Sequence, residues 1–271
     1  MAGPNSFSIE KLSRVVGTPG CPIILDVRTD EDFAADPHII PTSIHILHSD
    51  EKALRQFPQE RPCVVVCQKG LKLSEGVAAL LRLRGLDATN LEGGTLAWVA
   101  AGHPVIPVAK VPVNATTGKS RWVTRHRPKI DRIACPWLIL RFVDANAEFF
   151  YVSPDQVEDV AQRFDATPFD METGFWTHEG ERCTFDKMLV EFGLATEPLL
   201  RLADIVRCAD TNRLTDNPQA AGLLAISIGL SRLHSNDLEQ LQAGLSVYDA
   251  LYRWCRDGVD EIHNWPARVK P

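Results

Sequence analysis

The 271-residue sequence predicts an α/β domain followed by a mainly α-helical domain. Three observations carry that expectation. The early part of the chain alternates short β-branched runs with amphipathic stretches, the signature of strands and helices in turn. Residues 104–120 then lose periodicity and gain prolines and small side chains, a linker composition. From Arg121 onward, apolar residues recur mostly at helical spacing. The expected boundaries are therefore 1–108 for the α/β domain, 109–120 for the linker and 121–271 for the helical domain.

In chain order, Pro22 to Val27 reads as a buried strand, Ser43 to Ile46 as a short one and Cys63 to Val66 as a central one. Continuous apolar runs of this kind suit a parallel sheet covered on both faces. Amphipathic helices are expected at Glu51 to Phe57 and Ser74 to Arg84, with Gly85 where a helix C-cap glycine belongs. Beyond the linker, Ile133, Trp137, Leu138 and Leu140 to Val143 suggest a helix with a bulky apolar face and Pro136 near its first turn. Ala147 to Val152 reads as a strand. Asp155 to Phe164 reads as a helix capped by Ser153, with Pro154 at its first position. Thr184 to Phe192, Pro198 to Ala209, Pro218 to Leu233 and Asp237 to Arg256 complete the helices.

Hydrophobic and charged contents of 45% and 24% are those of a soluble globular protein. A net charge of −6 argues against a dedicated nucleic-acid binder. No apolar run approaches the roughly 18 residues of a membrane span, and the first residues carry no secretory pattern. The seven cysteines are odd in number and scattered, so reduced thiols in the cytoplasm are expected.

Cys67 stands out among them. It ends the run Cys63 to Val66 and opens the loop Gln68-Lys69-Gly70-Leu71-Lys72-Leu73, just before a helix. A thiol between a strand and a helix N-terminus sits where backbone N–H groups converge, which favours the nucleophilic thiolate. Gly70 permits a tight turn, and Lys69 and Lys72 add positive charge. Cys63 reads as a structural thiol.

With Cys67 and its loop, three further segments occur in order: Asp26-Val27-Arg28 with Glu31 and Phe33, then His38-Ile39-Ile40-Pro41, then Glu92-Gly93-Gly94-Thr95-Leu96-Ala97-Trp98 closing on Gly102-His103-Pro104. Together they resemble a single rhodanese-like domain over residues 5–108. The resemblance implies a sulfurtransferase that needs no cofactor. Cys67 would take sulfane sulfur from a small donor, hold it as a persulfide and pass it to a thiol or cyanide. Gln68, Lys69, Gly70, Leu71 and Lys72 would cradle the anionic donor. Asp26, Arg28 and Trp98 would be scaffold. The family often has Arg then Ser or Thr where this chain has Lys72 and Leu73, and lysine lacks arginine's planar fork. Cysteine phosphatases place an arginine where Leu73 stands, which argues against phosphoester chemistry.

The second domain opens on the densest basic stretch, Arg121 to Arg132, with Asp131 as its one acid. Arg125, Arg127, Lys129 and Arg132 suggest a site for chromate or another oxyanion, set against a solvated basic face. Separately, His178 and Cys183, with Asp210 or Asp131, suggest a mixed N/S/O site for zinc or iron, set against packing and helix capping. Cys135, Cys208 and Cys255 read as core. The blocks Trp122 to Arg125, Ile133 to Asp144, Phe175 to Asp186 and Asp204 to Asp210 resemble the C-terminal domain of ChrB-type chromate-resistance proteins. The resemblances together imply a sulfurtransferase linked to chromate or oxyanion stress. The alternative is a non-catalytic metal- or oxyanion-binding sensor in which the first domain is a redox or docking module.

Overall fold

The computed structural model describes residues 5–56, 61–114 and 117–261. The first domain comprises β1 (Ser6–Phe7), α1 (Ile9–Val15), β2 (Ile23–Asp26), α2 (Asp30–Ala35), β3 (His38–Ile39), β4 (Ile44–His45), α3 (Glu51–Arg55), β5 (Cys63–Val66), α4 (Lys72–Leu83), β6 (Ala88–Leu91), α5 (Gly94–Ala100) and β7 (Ile106–Pro107). Strands β1, β6, β5, β2 and β4 form a parallel sheet in that order, while β3 and β7 pair antiparallel beside it. Helix α4 starts two residues earlier than its amphipathic pattern suggested, at Lys72. Phe57, the expected end of α3, lies outside the described residues.

Central β5 is buried along its whole length, which is why it is apolar on both faces. Its side chains divide by the two-residue period of a strand. Val64 and Val66 join one core with Leu12 of α1 and Trp98 of α5. Cys63 and Val65 join the other with Val77, Ala78 and Leu81 of α4, and Cys67 continues that second face. The pleat thus delivers the Cys67 thiol beneath the start of α4.

The first of these cores runs on into the second domain. The Phe142 ring lies against Gly17, and the Thr42 N–H donates to the Phe142 carbonyl at 3.0 Å. Within the expected linker, Val113 and Ser120 form an antiparallel bridge; residues 115–116 lie outside the described chain.

The second domain contains β8 (Arg121–Arg125), α6 (Asp131–Leu138), β9 (Glu148–Val152), α7 (Val157–Phe164), β10 (Thr167–Pro168), α8 (Thr184–Glu191), α9 (Glu197–Asp210), α10 (Ala220–Leu233) and α11 (Asp237–Arg253). It is mainly helical, around a small parallel sheet in the order β10, β8, β9. The basic start of this domain is therefore partly a central strand. Trp122 faces the main core and Val123 packs beneath α7, while Arg121 and Arg125 mark the strand's half-exposed ends.

Pro136 lies inside α6 rather than near its first turn. It has no N–H for the Arg132 carbonyl, and the Tyr151 hydroxyl donates there instead at 3.0 Å. The helix then widens into a π-turn over Ile139–Val143, closed by Asp144 N–H to the Ile139 carbonyl.

Candidate functional sites

Cys67 leaves β5 buried, with its Sγ 3.2 Å from the Ser74 hydroxyl. Ser74 also donates to the Leu71 carbonyl, so one side chain ties the thiol to the first turn of α4. The loop is held from the other side by α5. Thr95 N–H donates to the Cys67 carbonyl and Leu96 N–H to the Gln68 carbonyl, both at 3.1 Å. Such close approach requires glycine at Gly70 and Gly94, which also have φ of +67° and +61°. A Cβ on Gly94 would collide with the Cys67 and Gln68 carbonyls, and one on Gly70 with the Leu91 carbonyl and the Gly93 and Gly94 amides.

Among the described residues, none of the backbone N–H groups from Gln68 to Ser74 donates to a protein acceptor. Above Cys67 lies a cavity of about 460 Å³ lined by Asp32, Gln68, Lys69, Leu71, Lys72 and Leu73. Gly70 turns the chain behind it. Neither Lys69 nor Lys72 has an ion-pair partner among the described residues. The other thiols of this domain differ: burial pushes Cys63 up to about 12 and Cys21 up to about 11, so both stay protonated. Asp26 and Arg28 form a buried pair at 2.6 Å, and Arg28 also donates to the Asp36 and His38 carbonyls. They brace the sheet end, as does Trp98, whose indole N–H donates to the Pro104 carbonyl.

In the second domain His178 is the focus of a separate cluster. Its Nε2 lies 3.2 Å from Asp210, 3.3 Å from Asp170 and 3.5 Å from Asp131. Asp131 opens α6, Asp170 follows β10 and Asp210 ends α9. Asp131 is fully buried and accepts from the Thr184 and Phe185 N–H groups, capping α8 from another helix. Burial pushes the Asp131 carboxyl up to about 6. Hydrogen bonding to Asp131, Asp170 and Asp210 pushes the His178 imidazole up to about 12. Ligand atoms of Asp131, Asp170 and His178 lie within 4.8 Å of one another.

The structure thus brings His178 together with both Asp210 and Asp131, the two acids expected as alternatives, adds Asp170, and leaves Cys183 out. The Cys183 thiol contacts Asp186 at 3.4 Å, within a capping box at the start of α8. The four cations proposed for an oxyanion do not converge either. Arg125 and Arg132 pair with Asp170 at 3.5 and 3.3 Å. Arg127 donates to the Ser231 carbonyl, and half-buried Lys129 joins neither group. Ser74, Asp32 and Asp170 carry no motif; only their position at element ends near the sites could have marked them.

A family model for the rhodanese-like domain matches residues 8–101, and one for the ChrB C-terminal domain matches residues 122–255. The chain is a rhodanese-like domain joined to a ChrB C-terminal domain. Protein ChrB of Cupriavidus metallidurans is 36% identical over 134 residues, which is 49% of this chain and 40% of that protein. The putative sulfurtransferase YtwF of Bacillus subtilis is 30% identical over 82 residues, covering 30% of this chain and 77% of YtwF. A sulfurtransferase of Allochromatium vinosum is 25% identical over 103 residues, covering 38% of this chain and 94% of the relative. The Cys67 loop lies inside the rhodanese-like match, and the His178 cluster inside the ChrB C-terminal match. No helix among the described residues is long and apolar enough to cross a membrane.

Proposed function

We propose that the protein is a sulfurtransferase that carries sulfane sulfur as a persulfide on Cys67, acting in chromate or other oxyanion stress. The observation that carries this reading is the loop itself. Cys67 follows the central strand inside a run of backbone N–H groups that, among the described residues, have no protein acceptor, and beside two lysines that have no carboxylate partner there. Such a cradle stabilises negative charge where a thiolate and an anionic donor meet. The thiolate attacks the outer sulfur of thiosulfate, the S–S bond breaks and sulfite leaves. The charged persulfide then passes that sulfur to cyanide or a thiol, regenerating the thiolate.

The test is thiocyanate formation from thiosulfate, or another sulfane donor, and cyanide, with mass spectrometry of the Cys67 peptide. Wild-type protein gains one sulfur on that peptide and turns over; Cys67→Ala does neither. Equal turnover by Cys67→Ala would overturn the proposal.

One observation favours a second activity beside the first. Nε2 of His178 has a single hydrogen yet faces three carboxylates. Donor atoms bonded to zinc at about 2.0–2.1 Å lie roughly 3.3 Å apart around a tetrahedron, and the His178 Nε2 to Asp131 and Asp170 distances, 3.5 and 3.3 Å, are of that size. We propose that Asp131, Asp170 and His178 hold a divalent cation, zinc or iron(II), that takes the place of the imidazole proton. Zinc at about 100 times its Kd should then raise the unfolding free energy by roughly 2.7 kcal/mol, and His178→Ala should remove the effect. A melting temperature that does not respond to zinc or EDTA would rule the cation out.

A further inference from the structure

The cavity over Cys67 contains a group that an inorganic anion does not need. Asp32 is the third residue of α2, and its backbone N–H is capped by the Thr29 hydroxyl at 3.2 Å. Its half-buried carboxylate has no hydrogen-bond or ion-pair partner among the described residues and lines the same cavity as Cys67. The loop supplies the opposite charge from Lys69 and Lys72, and apolar surface from Leu73 and from Leu71, which is 57% exposed. The cavity, at about 460 Å³, falls in the roughly 300–1,000 Å³ range of clefts that hold small organic molecules. Thiosulfate would fill a small part of it and would carry two negative charges past an acid.

We propose, on the basis of the sulfur-transfer reading above, that the donor is an organic persulfide bearing an ammonium and a carboxylate, such as the persulfide of cysteine or of a cysteinyl peptide. Asp32 receives the ammonium, Lys69 or Lys72 receives the carboxylate, and the leucines cover the carbon chain. The Cys67 thiolate attacks the terminal sulfur of R–S–SH, and the S–S bond of the donor breaks. The proton stays on the transferred sulfur as Cys67–S–SH, and R–S⁻ leaves. No oxidant or reductant takes part. Asp32 is thereby a specificity residue that touches the donor away from the reacting sulfur.

The experiment compares kcat/KM for cysteine persulfide and for thiosulfate in the full chain, with cyanide as common acceptor and the rate with Cys67→Ala subtracted. Asp32→Asn should reduce the ratio of the two values by about tenfold, through a loss with the persulfide and a gain with thiosulfate. Asp32→Glu should restore the preference, and Asp30→Asn, an exposed acid on the same helix, should leave it unchanged. A ratio unmoved by Asp32→Asn, with sulfur still loading on Cys67, would overturn this inference alone. Failure of Cys67 to load from either donor would overturn the sulfur-transfer reading with it.

Discussion

Gly94→Ala is expected to slow Cys67-dependent thiocyanate formation by about 10²-fold, the cost of moving a reacting group by an ångström or so. Gly94 is not in the cavity. It is the point where α5 meets the back of the loop, with the Cys67 and Gln68 carbonyls and the Gly70 amide inside the space a methyl group would need. All of these are backbone atoms, so relief comes only from displacing the loop, and with it the N–H groups around the thiol. Gly85→Ala is the matched control. Gly85 also has positive φ, at +86°, but no atom lies within 4 Å of its added Cβ. It should therefore lose about 1 kcal/mol of stability through backbone strain and keep its rate. Thermal melts and thiocyanate assays of both variants separate the effects. Equal rates in the two would mean that the loop tolerates displacement and that the cradle is not what activates Cys67.

The first site was readable because one strand, one loop and one helix carry it. Cys67 and its loop are contiguous, and the two-residue period of β5 decides which face the thiol shares. What could not be read was Asp32, which arrives from α2 across a sheet order in which β2 neighbours β5. The second site shows the same limit more strongly. His178, Asp210 and Asp131 were legible as candidate ligands by type, whereas Asp170, which follows β10, was not, and the three acids come together from the start of α6, the segment after β10 and the end of α9. Cys183 was attractive through sequence proximity, yet helix capping claims its side chain. The basic stretch was misleading for a related reason. Strand β8 sends Arg125 towards Asp170, and α6 sends Arg132 to the same carboxylate, so both guanidinium groups share one acid distant in sequence.

Asp131→Ala is expected to be the most destabilising substitution in the second domain, by about 3–4 kcal/mol. Its carboxylate is wholly buried and accepts from Thr184 N–H at 2.6 Å and Phe185 N–H at 3.2 Å. Removing it strands two buried donors at a helix start, each costing about 1–3 kcal/mol. It also takes a negative charge from beside the His178 imidazolium and from the N-terminus of α8. Asp131→Asn keeps one acceptor oxygen and should lose roughly half as much. Asp210→Ala should lose about 1 kcal/mol or less, because that carboxylate is 20% exposed and its contact with His178 is shared with two others. Denaturant unfolding gives the order directly: Asp131→Ala, then Asp131→Asn, then Asp210→Ala. A loss for Asp210→Ala as large as that for Asp131→Ala would mean that the cluster is held by charge around His178 rather than by the capping of α8. Because one apolar core joins Leu12 and Ile24 of the first domain to Trp137 and Phe142 of the second, the loss should also reach the sulfur-transfer domain. The two domains should melt as one transition, and in Asp131→Ala thiocyanate formation should fail at the same lowered temperature as the helical signal.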